Sequence, residues 1–325
     1  MDRRQVATSH VCIVTPEQAE KLRDLLAGRG WEFGELPYAR WQATGPDANV
    51  TAYTSGKLVV QGKGTAELVQ FTLEPEIIGQ ARFGYERELR EVENPTMFQP
   101  HAGIDESGKG DFFGPLVVAA VYTDAELGRA FVDLGVADSK TIKSDKRIHE
   151  LAREIRTRGG DGCSVVAIGP ETYNRLQAKF GNVNRLLAWG HARALENLLE
   201  RRPDCPRAIS DQFGHKTLVE RALLDKGKKL VLEQYHRAEA DVAVAAASIV
   251  ARSEFVHRME RLGAECGIPL PKGAGPAVDA AARRFVDKFG AAALERVAKT
   301  HFRTRDKVLG LPLPPRPPPG SFRHS

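Results

Sequence analysis

The chain has 325 residues, is 42% hydrophobic and 27% charged, and carries a formal net charge of +5. This composition is typical of a soluble globular protein of about two domains, and it excludes a chain that is disordered throughout. No run of about 18 apolar residues occurs, and the N-terminus lacks the apolar core of a secretion signal, so we expect a cytoplasmic protein. The four cysteines are far apart, which favours reduced thiols over a zinc site or a disulfide framework.

Residues 1–78 have the pattern of a small α+β domain. Thr15 is placed to cap a helix that begins at Pro16 and ends near Gly28. Ser55-Gly56 joins two β-like segments, as in a two-residue hairpin. The β-like segments are 10–14, 39–43, 50–54 and 57–61, and a second helical segment covers 64–73. The predicted order is β-α-β-β-β-α, a sheet with one face covered by helices.

The open face of this predicted sheet carries polar and aromatic side chains. Strand alternation places the following residues on it: Arg40, Gln42, Tyr53, Lys57 and Gln61. Such a mixture suits a nucleic acid duplex, so Tyr53, Lys57 and Gln61 are candidate substrate contacts. Alternation alone does not exclude a face that is merely solvated. Residues 1–90 are close to charge balance, so bulk charge does not drive binding by this segment.

A second domain is expected after a linker. Residues 79–100 are charged and contain prolines, as in a connection between domains. From 101 to 308, strand-like apolar runs alternate with helical patterns, which predicts an α/β domain. Strand-like runs are 115–122, 164–168, 208–210 and 229–232; helical patterns are 148–155, 187–198 and the Ala-rich 242–251. Residues 309–325 are proline-rich, and we expect a disordered tail.

Two adjacent carboxylates, Asp105 and Glu106, follow an apolar approach and precede a Gly-Lys-Gly turn. Glycines at such a point let the backbone come close to a ligand. The spacing nearly matches a phosphate-binding P-loop, but Gly110 stands where a Ser or Thr should ligate Mg²⁺, and the carboxylates would repel phosphate. We therefore favour carboxylates that hold divalent cations and so attract a phosphodiester.

Further acids could complete such a site. Asp211 follows a short apolar strand and precedes Gly214, at a strand end where α/β sites assemble. Glu239 and Asp241 lie just before the Ala-rich segment, and both could equally be acids favoured at a helix N-terminus.

Taken together, these stretches resemble ribonuclease HIII, a bacterial relative of ribonuclease HII that cleaves the RNA strand of RNA/DNA hybrids. The motifs are 103–115, Asp138-Ser139-Lys140, Asn182-Val183-Asn184, Asp211-Gln212-Phe213, 243–252 and 269–273. The first motif is specific, because the related family usually has arginine where Lys109 stands. The N-terminal segment resembles the TBP-like substrate-binding domain that separates the two families.

The resemblance implies an α/β fold: a ribonuclease H-like catalytic domain at 101–308, preceded by a small α+β TBP-like domain at 1–78. It implies a metal site of four acids: Asp105, Glu106, Asp211 and Glu239, with Asp241 a rival for the fourth position. Two Mg²⁺ or Mn²⁺ ions would be the cofactors, and the products would carry 5′-phosphate and 3′-hydroxyl ends. The substrate-binding residues implied here are Ser107, Gly108, Lys109, Gly110, Ser139, Lys140 and Asn184.

A competing function is a protein that binds RNA/DNA hybrids without cutting them. A binding protein that descends from an enzyme and has lost its activity should have lost some of the acids. The presence of all four favours an endoribonuclease. The +5 net charge suits a hybrid duplex as partner. Nothing in the sequence indicates a membrane partner, and without a coiled-coil pattern a monomer is the default.

Overall fold

The computed structural model describes residues 8–80, 83, 94–136, 139–211, 216–223, 227–235 and 238–313. The chain divides into two compact units, Met1–Asn94 and Pro95–Ser325, and this division falls inside the predicted linker. Most of that linker, Asp138, residues 212–214 and the tail beyond Leu313 lie outside the described residues. None of the helices in the described part of the chain combines the length and apolar character needed to span a bilayer.

The first unit is an antiparallel sheet of five strands in the order β1-β5-β4-β3-β2. The strands are β1 (Ser9–Ile13), β2 (Glu32–Gly34), β3 (Ala39–Thr44), β4 (Asn49–Tyr53) and β5 (Lys57–Gln61). The helices are α1 (Pro16–Gly28) and α2 (Thr65–Leu68), and α2 continues as a π-helical segment (Val69–Ile78). The predicted order lacks β2, whose three residues are all exposed and show no apolar alternation.

Local signals set the helix boundaries of this unit. Thr15 Oγ1 accepts from the amide of Gln18 at 3.2 Å, and the Gln18 side chain accepts from the Thr15 amide at 2.9 Å. This reciprocal pair is a capping box. The second helix is predicted to end at 73 but reaches Ile78, because wider π turns accommodate Pro75, which has no amide hydrogen to donate.

One face of this sheet is packed and the other is open. The packed face contributes to a core that includes Leu22, Leu26, Val50, Leu58, Val60 and Leu73. Gln42, Tyr53, Lys57 and Gln61 alternate with these strand residues and lie on the opposite face. Arg40 departs from the prediction, because the register shift between Ala39 and Trp41 makes it the extra residue of a β-bulge.

The second unit is a mixed five-stranded sheet in the order β10-β9-β6-β7-β8. Its strands are β6 (His101–Ser107), β7 (Leu116–Thr123), β8 (Cys163–Ile168), β9 (Arg207–Asp211) and β10 (Val231–Tyr235). Its helices are α3 (Ala125–Asp133), α4 (Asp145–Gly159), α5 (Pro170–Phe180), α6 (Val183–Leu199), α7 (Lys216–Ala222), α8 (Val242–Cys266), α9 (Pro276–Phe289) and α10 (Arg303–Val308). β9 runs parallel to β6 and β10, whereas β7 is antiparallel to both of its neighbours. The strand predicted at 229–232 begins at Val231, because Gly227–Lys229 form a 3₁₀ turn.

A buried helix covers each face of this second sheet. The residues of β7 in the core with α8 are Val117, Ala119 and Val121, and those in the core with α6 are Val118, Ala120 and Tyr122. Burial on both faces explains why this strand reads as a continuous apolar run. Gly103 lets α8 approach β6 closely, since a Cβ there would lie 2.1 Å from the backbone of Ala243. The Ala-rich segment is therefore a core helix, as predicted.

The four cysteines are free thiols. They are reduced, as expected; Cys205 is buried, whereas Cys12, Cys163 and Cys266 are half-buried. Burial raises the pKa of the Cys163 and Cys205 thiols to about 11.

Candidate active site

Asp105 and Glu106 are consecutive residues near the end of β6, so their side chains leave the strand towards opposite faces of the sheet. Asp105 Oδ1 accepts from the amide of Glu106 at 2.8 Å, and the nearby Ser248 hydroxyl on α8 acts to lower the pKa of the Asp105 carboxyl. Glu106 Oε2 lies 2.9 Å from Nε2 of His191 on α6. The two covering helices therefore each bring one polar side chain to this pair of carboxylates.

The surroundings of Asp105 and Glu106 shift the pKa values of the two carboxyls in opposite directions. Burial, together with the negative charge of Glu106, raises the pKa of Asp105 to about 7. Burial also opposes the charge on Glu106, but the hydrogen bond from His191 and the charge of Lys109 outweigh it and lower the pKa of Glu106. Lys109 Nζ lies 3.5 Å from Glu106 Oε1. Glu106 is thus held as the anion, while Asp105 resists ionisation without a cation nearby.

Asp211 ends β9, the strand next to β6. Ile104 pairs with Ser210 in this parallel ladder, so the following residues Asp105 and Asp211 occupy adjacent positions on one face. Both line one cavity of about 520 Å³, together with Glu106. The structure thereby brings three of the four predicted acids to a single pocket.

The two candidates for the fourth acid differ in what they contact. Asp241 caps α8, accepting from the amides of Ala243 and Val244, and its carboxylate lies 3.0 Å from Nε2 of the fully buried His101. Glu239 lies in a one-turn 3₁₀ helix, Ala238–Ala240, and is half-buried. Glu239 is not among the residues that line the pocket of the other acids.

The predicted substrate-binding turn lies at the same pocket as the acids. The residues that line this pocket include Ser107, Gly108, Lys109, Gly110, Ser139 and Lys140. Gly108 has φ +91, and a Cβ there would lie 2.3 Å from the carbonyl oxygen of Pro115, so only glycine fits. A Cβ added at Gly110 would have nothing within 4 Å of it, so this residue leaves open space at the surface of the turn.

Ser139 joins a network that sequence reasoning did not find. Its hydroxyl is buried and lies 2.8 Å from the hydroxyl of Ser248. Arg252 donates to the Ser139 carbonyl and also to Asp145, which accepts from Lys272 at 2.8 Å. The hydrogen bond from Lys272 is the main cause that lowers the pKa of Asp145. Ser248, Arg252 and Lys272 fall inside the motifs quoted above, but their partners could not be read from the sequence.

The remaining predicted substrate contacts lie elsewhere. Asn184 is in the first turn of α6, where its amide donates to the Asn182 side chain at 2.7 Å, and it does not line the pocket of the acids. Tyr53, Lys57 and Gln61 share the open face of the first unit. His191 is a residue of this site that the sequence indicated only as one member of a helical apolar stripe.

The donor set of the pocket fits a hard divalent cation. Asp105, Glu106 and Asp211 offer carboxylate oxygens, the ligands that Mg²⁺ and Mn²⁺ prefer. A cation would also stabilise the charged form of Asp105, whose pKa is raised by burial and by the negative charge of Glu106. Within the described ranges, no three His, Cys, Asp or Glu side chains stand close enough together to hold a metal ion by themselves. Water and substrate oxygens would complete the coordination, as is usual for Mg²⁺.

Comparison with known proteins gives matches to both units. Residues 102–305 match the family described as ribonuclease HII, and residues 9–78 match a domain family of unknown function. The chain is 44% identical to ribonuclease HIII of Protochlamydia amoebophila over 294 residues, covering 90% of this chain and 94% of that protein. It is 42% identical to ribonuclease HIII of Chlamydia pneumoniae, covering 92% and 97% of the two chains.

Solved structures agree in fold. The crystal structure of Bst-RNase HIII in complex with Mn²⁺ superposes with a TM-score of 0.63 at 31% identity, covering 93% of this chain and 98% of that chain. The crystal structure of Aquifex aeolicus RNase H3 gives a TM-score of 0.50 at 27% identity, covering 90% and 99%. These likenesses confirm the α/β fold predicted for the catalytic domain and the small sheet domain before it.

Proposed function

The chain belongs to the ribonuclease HIII family and is a ribonuclease H, and from this premise we propose that it is an endonuclease that cleaves the RNA strand of RNA/DNA hybrids. The observation that carries the proposal is the convergence of Asp105, Glu106 and Asp211 on one pocket beside the glycine turn. Bound there, with Glu239 as the fourth acid, two Mg²⁺ or Mn²⁺ ions would supply an activated water and stabilise the leaving 3′-oxygen. The products would then carry 5′-phosphate and 3′-hydroxyl ends.

The chain's own residues keep the acids ready for this role. The Glu106 amide donates to Asp105 and His191 donates to Glu106, so each carboxylate is held by a hydrogen bond before any cation arrives. Residues that orient metal ligands in this way contribute strongly to metal affinity. The buried Ser139 hydroxyl bonds Ser248, and we therefore assign Ser139 to holding Asp105 in addition to lining the pocket.

Substrate selection would come from the turn Ser107–Gly110. An enzyme that acts on hybrids of any sequence reads duplex shape and the 2′-hydroxyl rather than bases. The exposed backbone of Gly110 can approach a minor groove, where its peptide groups would meet the 2′-hydroxyl beside the scissile bond. Lys109 and Lys140 would contact phosphates, and Asn184 would act as a more distant contact.

The open face of the first unit would hold the duplex. Tyr53 offers a ring for stacking against sugars or bases, and Lys57 and Gln61 offer hydrogen-bond donors to phosphates. Because these residues alternate with the core of their sheet, replacing them should weaken hybrid binding without disturbing the fold.

The test uses four end-labelled duplexes of one sequence: an RNA/DNA hybrid, duplex RNA, duplex DNA and DNA with one embedded ribonucleotide. Each is incubated with wild type, Asp105→Asn and the exposed-acid control Asp161→Asn, in Mg²⁺, in Mn²⁺ and in chelator. We expect metal-dependent cutting of the hybrid by wild type and Asp161→Asn, none by Asp105→Asn, and 5′-phosphate ends on the RNA fragments. Binding of the hybrid without cutting in either metal would replace this proposal with a non-catalytic hybrid-binding protein.

A further inference from the structure

Lys299 is a fully buried lysine in the second unit. Its ammonium donates to three backbone carbonyl oxygens, those of Asp111 at 2.8 Å, Phe113 at 3.3 Å and Gly114 at 2.8 Å. Burial lowers the pKa of Lys299 to about 7, while the nearby charge of Asp111 acts in the opposite direction. Burying a lysine ammonium is costly unless its three N–H donors all find acceptors. Here the three carbonyl oxygens supply one acceptor for each donor.

The three carbonyls belong to the segment 111–114, which directly follows the turn Ser107–Gly110. The main chain around Lys299 holds the same segment, because the Lys299 amide donates to the Phe112 carbonyl at 2.8 Å and the Gly114 amide donates to the Val297 carbonyl at 2.8 Å. The Phe112 amide donates to the Gly273 carbonyl at 2.9 Å. Segment 111–114 is thus tied on both sides by chain that is distant in sequence.

This arrangement affects substrate binding because the position of the turn is set by the two segments that flank it. Its first end is β6, whose ladder fixes Ser107 opposite Val117. Its second end is segment 111–114, whose carbonyls would lose their donors if the ammonium were removed. The turn would then be free to move away from the position in which its backbone fits the hybrid, and contacts that hold the substrate would be lost.

We propose that Lys299 is a positioning residue that fixes the turn Ser107–Gly110 for binding the hybrid, by fastening the carbonyls of segment 111–114. The inference rests on the proposed function of that turn. In the described part of the chain, the ammonium of Lys299 bonds the carbonyls of segment 111–114 and none of the four acids, and its full burial keeps it away from a bound substrate. Its removal should therefore weaken substrate binding and leave metal binding unchanged.

The first test replaces the ammonium with an uncharged side chain of similar length, Lys299→Met, beside the matched control Lys179→Met on the exposed face of α5. Four quantities are measured: KM and kcat on the hybrid, the Kd for the hybrid in chelator, and the Mn²⁺ affinity. We expect KM and Kd to rise about tenfold, with Mn²⁺ affinity and kcat within about threefold of wild type. Lys179→Met should match wild type in all four.

A purely structural role gives a different signature. Loss of stability alone would lower the active fraction, so the apparent kcat would fall while KM and Kd stayed unchanged, and that result would overturn the proposal. The Kd for the hybrid is measured in chelator, so this measurement does not depend on cleavage. A wild type that bound the hybrid but did not cut it would therefore refute the proposed function while leaving the Lys299 test intact.

A second variant covers the case in which Lys299→Met does not fold. The Asn174 side chain on α5 donates to the Ala298 carbonyl at 2.9 Å and accepts from the Thr300 amide at 3.0 Å, so it holds the segment that carries Lys299. Asn174 is half-buried, so Asn174→Ala removes these bonds without opening a large cavity in the core. We expect it to raise the Kd for the hybrid in the same direction by a smaller factor, and an unchanged Kd would overturn the proposal.

Discussion

His191 and Glu106 are joined by a hydrogen bond of 2.9 Å between Nε2 of a fully buried imidazole and Oε2 of the carboxylate. The bond ties helix α6 to the end of strand β6 and sets the orientation of one of the pocket's acids. It also holds Glu106 in its anionic form, because the hydrogen bond lowers its pKa against the effect of burial.

The first prediction removes this bond. His191→Leu fills the buried site with an apolar side chain and removes the His191 donor to Glu106, and we expect Mn²⁺ affinity to fall about 10–100-fold. His191→Gln carries a donor near the position of Nε2 and should retain most of the affinity. The measurement is a Mn²⁺ titration of each variant, with thermal melts as the check on folding. Equal Mn²⁺ affinity in folded His191→Leu and wild type would contradict this role.

The second prediction concerns the stability of the metal-free protein. Folding raises the pKa of Asp105 from 3.8 to about 7, so its contribution to stability is fully present below pH 3.8 and is lost as the pH rises through 7. Each pKa unit corresponds to about 1.4 kcal/mol. Asp105→Asn cannot ionise, so in chelator its melting temperature should exceed that of wild type by several degrees at pH 8, and by less at pH 4.

Thermal melts in chelator across this pH range test that prediction, with Asp161→Asn as the control for an exposed acid. Metal should reverse the order at pH 8, since a bound cation stabilises the wild-type carboxylate. A difference between Asp105→Asn and wild type that is the same at every pH would show that the charge of Asp105 does not oppose folding.

The third prediction separates the two candidates for the fourth acid. Asp241→Ala removes the cap of α8, which is worth about 1 kcal/mol, and also deprives the buried His101 of its carboxylate partner. Its melting temperature should therefore fall. Glu239→Gln should keep the stability of wild type within about 0.5 kcal/mol, as for a substitution outside the core, yet lose cleavage at saturating metal. Full activity in Glu239→Gln would exclude it as the fourth acid.

The fourth prediction uses two glycines of one turn. Gly108→Ala must adopt a left-handed conformation and place its Cβ 2.3 Å from the Pro115 carbonyl oxygen, so we expect a loss of stability of at least about 1–2 kcal/mol. Gly110→Ala meets open space and should fold normally. Its methyl group would project where the minor groove is expected, so the Kd for the hybrid should rise. Urea melts and hybrid-binding titrations on both variants check these outcomes, and a stable Gly108→Ala would contradict the first.

Features that depend on neighbouring residues could be predicted without the structure. Thr15 and Pro16 mark the start of α1, and the apolar run of β7 marks a strand buried on both faces, because capping and periodicity act over a few residues. The short edge strand β2 escaped prediction, since three exposed residues ending in glycine carry no such pattern. The π-helical extension past Pro75 was not predicted either, because proline normally ends a helix and so indicated an earlier end.

The sequence by itself indicated two domains, the adjacent acids Asp105 and Glu106 after an apolar approach, and the glycine turn that follows them, since these are local patterns. Only the tertiary structure decided which distant residues form hydrogen bonds with these acids and with the segment after the turn. His191 lies 85 residues from Glu106, and Lys299 lies 185 residues from Gly114. Their partners are set by the packing of α6 and of the C-terminal segment against the sheet. Hydrogen bonds between such distant residues depend on the folded positions of both elements, which no local pattern specifies.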